Sequence, residues 1–137
     1  MEPQHSNILA KHSLEKAEKT LEEGYKNIDI SLSISQSRAY YAIYFVVLAL
    51  GYLDGLVSSK HHQLMGWFNK YYIYENKTFD SILTKTYSRL IRNREFFDYS
   101  ITEEPIKENV IEDLKDAKTF IDTVKPYILE KLKSNNE

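Results

Sequence analysis

The chain has 137 residues, 42% of them hydrophobic, and a formal net charge of −2. That is enough apolar material for one folded core, too much for a disordered chain, and too little positive charge for a protein that wraps nucleic acid over its whole surface. The absence of cysteine excludes disulfides, thiol nucleophiles and cysteine-type zinc sites, and fits a reducing, cytoplasmic location.

Residues 1–11 lack the basic start and apolar block of a secretory signal. Gly and Pro are scarce, with 4 and 3 copies, and the chain reads as helices in series. The first helix is predicted from Ser6 to Asn27, with Leu14, Ala17, Leu21, Tyr25 and Ile28 at helical spacing. The second begins after a cap at Ser35 or Ser37 and ends near Gly51. It contains the longest apolar run, Ala39 to Leu50, which is shorter than the roughly 20 residues of a membrane span. No membrane partner is expected, and a helix apolar on nearly every face belongs at the centre of the fold.

Asp54-Gly55 marks a turn, and Ser58 or Ser59 is a candidate cap for a third helix carrying Leu64, Phe68, Tyr71 and Tyr72 inward. Glu75-Asn76-Lys77 is a polar loop. A fourth helix starts near Thr78 or Asp80, buries Leu83, Tyr87, Leu90 and Ile91, and ends near Phe97. Thr102-Glu103-Glu104-Pro105 has the cap, acids and early proline of a helix start. The fifth helix then carries Ile106, Val110, Leu114, Ala117, Ile121 and Val124 inward, with Pro126 set to kink or end it. The expectation is a single domain over residues 1–137: an all-α, up-and-down bundle of four to five helices over 6–130, with 131–137 a frayed tail.

Three of the four arginines, Arg89, Arg92 and Arg94, lie within six positions of one another. Lys85, Arg89 and Arg92 form an i, i+4, i+7 stripe with no acid between Ser81 and Arg94. Arginine is a permanently charged, planar fork suited to phosphate. A stripe of this kind is either a phosphate contact or a solvated face paired with acids such as Glu108, Glu112 or Asp116 on the fifth helix. His61 and His62 are adjacent, so they point about 100° apart on a helix and cannot share one metal from one face. No metal site is expected. Neither is a cofactor, since no phosphate loop, nucleophile elbow or His-Glu-x-x-His occurs.

The segment Arg92-Asn93-Arg94-Glu95-Phe96-Phe97-Asp98-Tyr99 resembles the ribonuclease signature of the HEPN family, small helical bundles common in prokaryotes. In members paired with minimal nucleotidyltransferases the pattern is Arg-Asn-x-x-x-His-x-Tyr. Arg92, Asn93 and Tyr99 fall on three of its places, and Phe97 falls on that of the histidine. In a second register, Arg94-x-x-x-Asp98-Tyr99 is similar to the Arg…Asp-Tyr ending of a small stand-alone HEPN branch. Ser37-Arg38-Ala39-Tyr40-Tyr41-Ala42 and Ser59-Lys60-His61-His62 resemble that branch's second- and third-helix signatures.

The resemblance implies a homodimeric bundle. In active members, Arg and His of two subunits meet in one cleft and cut RNA without metal, through attack of the ribose 2′-hydroxyl. Histidine moves the proton and arginine stabilises charge on the phosphate. Phe97 can transfer no proton. Asp98 is displaced by one position, and an ionised carboxylate repels phosphate.

The expectation is therefore a degenerate HEPN protein that binds RNA, a nucleotide or a nucleotidyltransferase partner through Lys85, Arg89, Arg92, Asn93 and Arg94, within a toxin–antitoxin or defence system. Two alternatives stand beside it. One is an active endoribonuclease toxin using Arg92, Asn93, Asp98 or Tyr99. The other is a dimeric interaction module with no nucleic-acid ligand. Tyr99 also occupies the place of the tyrosine that the paired nucleotidyltransferase adenylylates, and Phe96 and Phe97 are expected in the core or a dimer contact.

Overall fold

The computed structural model describes residues 3–56 and 58–135. Among them are five α-helices: α1 (Pro3–Lys26), α2 (Leu32–Leu53), α3 (His61–Phe68), α4 (Ile82–Tyr99) and α5 (Lys107–Asn135). A π-helical segment, Asn69–Glu75, continues directly from α3. The architecture is the expected all-α bundle.

α2 packs against each of the other four helices. Its apolar side chains have something to bury on every side, and Ala39, Ala42, Ile43, Val46, Val47, Ala49 and Leu50 are all fully buried. α1 runs antiparallel to α2: the Ser35 hydroxyl donates to the Gly24 carbonyl at 2.6 Å, and at the other end the Ser13 hydroxyl donates to that of Phe45 at 2.7 Å. Gly24 lets three helices meet, since a Cβ there would lie 2.6 Å from Leu114 and 3.2 Å from the Arg38 Cβ. α1 also runs antiparallel to α5, tied by Lys107–Asp29, Lys125–Glu18 and Asn135–Asn7. No helix among the described residues is long and apolar enough to cross a membrane.

Several boundaries differ from the sequence expectation, each for a local reason. Ser31, not Ser35 or Ser37, caps α2, accepting from the Ile34 amide; Ser35 is buried inside the helix. Neither Ser58 nor Ser59 caps α3. The Ser58 hydroxyl donates to Gln63, and the Ser59 carbonyl receives the Tyr44 hydroxyl. The third helix widens into the π segment, which turns Tyr72 inward to donate to Asp54 but leaves Tyr71 43% exposed, stacked on Trp67. Tyr25, also expected inward, is 41% exposed.

α4 starts at Ile82, whose amide donates to the Asp80 carboxylate, and runs to Tyr99, past Phe97. Thr102 caps nothing: α5 begins at Lys107, and Ile106 is exposed. The residue before a proline is sterically pushed out of the helical region, so Glu104-Pro105 keeps the segment non-helical while Pro105 itself is buried. Pro126 does not end α5. It lies on the solvent face, and Tyr127, Ile128 and Leu132 pack into the core on the far side. Residues 131–135 are therefore helical rather than frayed; 136–137 lie outside the described residues.

Candidate functional site

The C-terminal half of α4 distributes the motif over three faces, because successive helical residues point about 100° apart. Arg89, Asn93 and Phe97, spaced by four, face α5. Arg94 and Asp98, also spaced by four, face α2. Lys85, Arg92 and Tyr99, spaced by seven, form an outer ridge.

On the α5 side, Asp113 is almost wholly buried and accepts three hydrogen bonds. They come from Gln36 Nε2 at 2.8 Å, Asn93 Nδ2 at 2.9 Å and Arg89 Nε at 3.1 Å. Arg89 also donates through Nη2 to Asp116. Burial opposes its charge, but Asp116 and Asp113 outweigh that and hold the guanidinium above its ordinary pKa. Arg89 is thus the ion-paired half of the stripe, and its partners are Asp113 and Asp116 rather than Glu108 or Glu112. This network floors a cleft of about 540 Å³ bounded by Phe96, Phe97 and the segment leading into α5. Neither ring belongs to the core: Phe96 is 56% exposed and Phe97 half-buried, the two meeting edge to face.

On the α2 side, Arg94 rests over the rings of Tyr40 and Tyr41, 5.8 and 5.3 Å from their centroids, and donates to the Tyr41 hydroxyl at 3.0 Å. Its Nε lies 2.9 Å from Asp98, close enough for ion pairing but without the alignment of a hydrogen bond. Arg38 lies over the Tyr41 ring as well. Tyr40 and Tyr44 are buried, Tyr41 is half-buried, and all three hydroxyls are bonded.

His61 completes this platform from α3. Its ring stacks on Tyr44 at 4.3 Å and contacts Tyr40 and Tyr41. Burial, then the charges of Arg94 and His62, lower its pKa, so the ring is neutral at pH 7. The Tyr40 hydroxyl, pushed well above the ordinary tyrosine range by burial, meets His61 Nδ1 at 2.5 Å and has no other partner among the described residues. Tyr40 is therefore assigned as donor and Nδ1 as acceptor, which leaves the proton of the neutral ring on Nε2. In that state His61 offers an N–H rather than a base. Nothing in the linear order marks His61 for this role, because its partners come from another helix. His62 pairs with Glu95 at 2.6 Å on the surface.

The outer ridge is different again. Lys85 and Arg92 are exposed, and neither has an acidic partner among the described residues; Arg92 donates to the Ser88 carbonyl of its own helix. Tyr99 is 82% exposed. Arg92, Asn93 and Arg94 therefore do not form one cluster: Asn93 is spent on Asp113, Arg94 on Tyr41 and Asp98, and Arg92 alone faces solvent.

A helical bundle with a central tyrosine-bearing helix and an arginine-rich fourth helix bordering an open cleft defines a class of small all-α domains. The comparisons give the class its family. The chain matches the HEPN domain over residues 9–127. It is 33% identical, over 92 residues, to a UPF0332 protein of Thermotoga maritima, an alignment covering 67% of this chain and 69% of that protein. The chain belongs to the HEPN domain family.

Proposed function

We propose that this HEPN protein binds RNA or a nucleotide through the outer ridge of α4 and has no efficient ribonuclease activity of its own, acting as a homodimer beside a partner such as a minimal nucleotidyltransferase in a toxin–antitoxin or defence pair. The observation that carries the proposal is the exposed pair Lys85 and Arg92, without acidic partners among the described residues, on the same helix as a phenylalanine at the histidine place. An unpaired arginine fork can donate to phosphate without first breaking an ion pair. Tyr99 continues the same ridge, where its ring can stack on a base or its hydroxyl can be reached by a modifying partner.

Three further features support binding over cleavage. Phe97 transfers no proton, Asp98 is occupied by Arg94, and His61 holds its proton on the nitrogen away from Tyr40. Phe96 and Ile101 leave apolar side chains in solvent at the end of α4, a surface that a second copy would cover.

The test is fluorescence anisotropy with a labelled oligoribonucleotide across a salt series. Binding is expected to weaken on Lys85→Ala and Arg92→Ala, with the salt slope reduced by about 0.7 for each single-strand phosphate contact removed. Unchanged affinity in the double variant would favour the interaction module. RNA degradation by the wild type that disappears in Arg92→Ala would instead establish the ribonuclease.

A further inference from the structure

The central helix keeps one face open. α1 and α4 both pack on α2 but scarcely on each other. Between Ala39 and Gly51 only Tyr41, Phe45 and Leu48 are not buried, spaced by four and three along that face. Cations from three helices border it. Arg38 of α2 lies over the Tyr41 ring at 5.2 Å, Arg94 of α4 over the same ring at 5.3 Å, and Lys16 of α1 over the Phe45 ring at 4.7 Å. The His61 ring meets Tyr41 from α3 at 5.6 Å. Beside Arg38 the face deepens into a groove of about 340 Å³, with Glu23 on its α1 wall and Asp98 on its α4 wall.

Donors gather here without acceptors. Arg38 is half-buried, yet its guanidinium makes no hydrogen bond or ion pair with a described residue, and its nitrogens are not enclosed. Arg94 spends Nη2 on Tyr41 and sets Nε against Asp98, which leaves Nη1 unbonded and open. The Nε2–H of His61 is unbonded and open as well. Half-buried polar groups normally have partners, and each of these N–H groups can only donate. What they lack is an acceptor-rich anion. Of the two acids on the groove walls, Asp98 is already paired with Arg94, so Lys16, Arg38 and Arg94 leave a positive balance.

We propose that this face of α2 binds the phosphate of a nucleotide, either a free nucleoside phosphate or one unit of a nucleic-acid strand. Arg38, Arg94 and His61 all lie within 5.6 Å of the Tyr41 ring centroid, close enough for one phosphate-bearing molecule to reach them. The guanidinium forks match phosphate oxygens, and the tyrosine ring beneath holds both forks in place. Lys16 carries the positive charge further along the face, where the half-exposed Phe45 and Leu48 offer apolar contact to a base. Lys85, Arg92 and Tyr99 take no part. The proposal extends nucleotide binding to a second surface and does not rest on the ridge.

The experiment is calorimetric and NMR titration of the full chain with AMP and an oligoribonucleotide, with inorganic phosphate, acetate and adenosine as partial probes. AMP should shift the ring signals of Tyr41 and His61. Arg38→Gln, which removes a charge that no described residue pairs, should weaken AMP binding several-fold. Asp98→Asn, which removes a carboxylate from the groove wall, should tighten it, a gain that damage to the fold would not produce. Tighter binding of the oligoribonucleotide than of AMP assigns the site to a strand; tighter binding of AMP assigns it to a free nucleotide. The proposal is overturned if AMP leaves Tyr41 and His61 unmoved, if Arg38→Gln binds AMP as the wild type does, or if phosphate, acetate or adenosine matches AMP. It also fails if AMP binding disappears in Lys85→Ala and Arg92→Ala but survives in Arg38→Gln. Loss of RNA binding in those ridge variants with AMP binding intact leaves it standing, so the two readings fail separately.

Discussion

The two inward sides of α4 use arginine in opposite ways. Facing α5, Arg89 is held by two carboxylates, and the buried one, Asp113, also gathers Asn93 and Gln36. Facing α2, Arg94 lies on tyrosine rings with a half-exposed Asp98 beside it. The first arrangement is an electrostatic lock in which each member depends on the others. The second is a platform whose aromatic base would remain if the cation were removed. A run of positive charge in one segment thus becomes a neutralised anchor, a supported cation and, at Arg92, one with no acidic partner among the described residues.

The largest expected effect lies in the lock. Asp113→Ala leaves Arg89, Asn93 and Gln36 without their shared acceptor and should cost about 2–4 kcal/mol, the lower end applying if Asp116 retains Arg89. Urea denaturation should show a lower midpoint at an unchanged slope. A cost below that of Arg94→Ala would break the contrast between the two sides. Arg94→Ala should itself cost about 1–2 kcal/mol, through one hydrogen bond and the ring contacts.

The platform also predicts a pH effect. His61 has a folded pKa below its ordinary 6.5, so the unfolded chain binds its proton more readily. Its contribution to stability is complete above that ordinary value and declines as pH falls through it toward the folded value. The groups around it are Arg94, Glu95, His62 and the three tyrosines of α2. Comparing thermal unfolding of wild type and His61→Gln from pH 7.5 down to 5 isolates this contribution: the variant should lose less stability on acidification. Parallel pH profiles would show that His61 does not titrate in this window. The smallest expected effect is on the ridge, where Arg92→Ala should change stability by no more than about 0.5 kcal/mol while weakening RNA binding.

Periodicity identified the buried faces well where burial is one-sided. Leu83, Tyr87, Leu90 and Ile91 are buried in α4, as are Val110, Leu114, Ala117, Ile121 and Val124 in α5. It failed at the ends, where several residues can serve as cap and packing decides among them. Ser35 has the chemistry of a cap, but the close approach of α1 at Gly24 gives its hydroxyl a carbonyl to bond inside the bundle. Thr102-Glu-Glu-Pro has the composition of a helix start, yet the steric effect of Pro105 on Glu104 keeps the segment outside the helix.

The candidate site was legible as a list of residues and not as an arrangement. Linear order determined the all-α class, the central position of α2, the family-like motif and the phenylalanine at the histidine place, because these depend on residue type and spacing alone. The tertiary structure decided which cation lacks an acidic partner among the described residues, which is spent on Asp113 and Asp116, that His61 from α3 joins Arg94 on the tyrosines of α2, and that one face of α2 stays open between α1 and α4. Those outcomes follow from contacts between residues as far as 77 positions apart, such as Gln36 and Asp113. Pairing across that distance is set by how the helices pack.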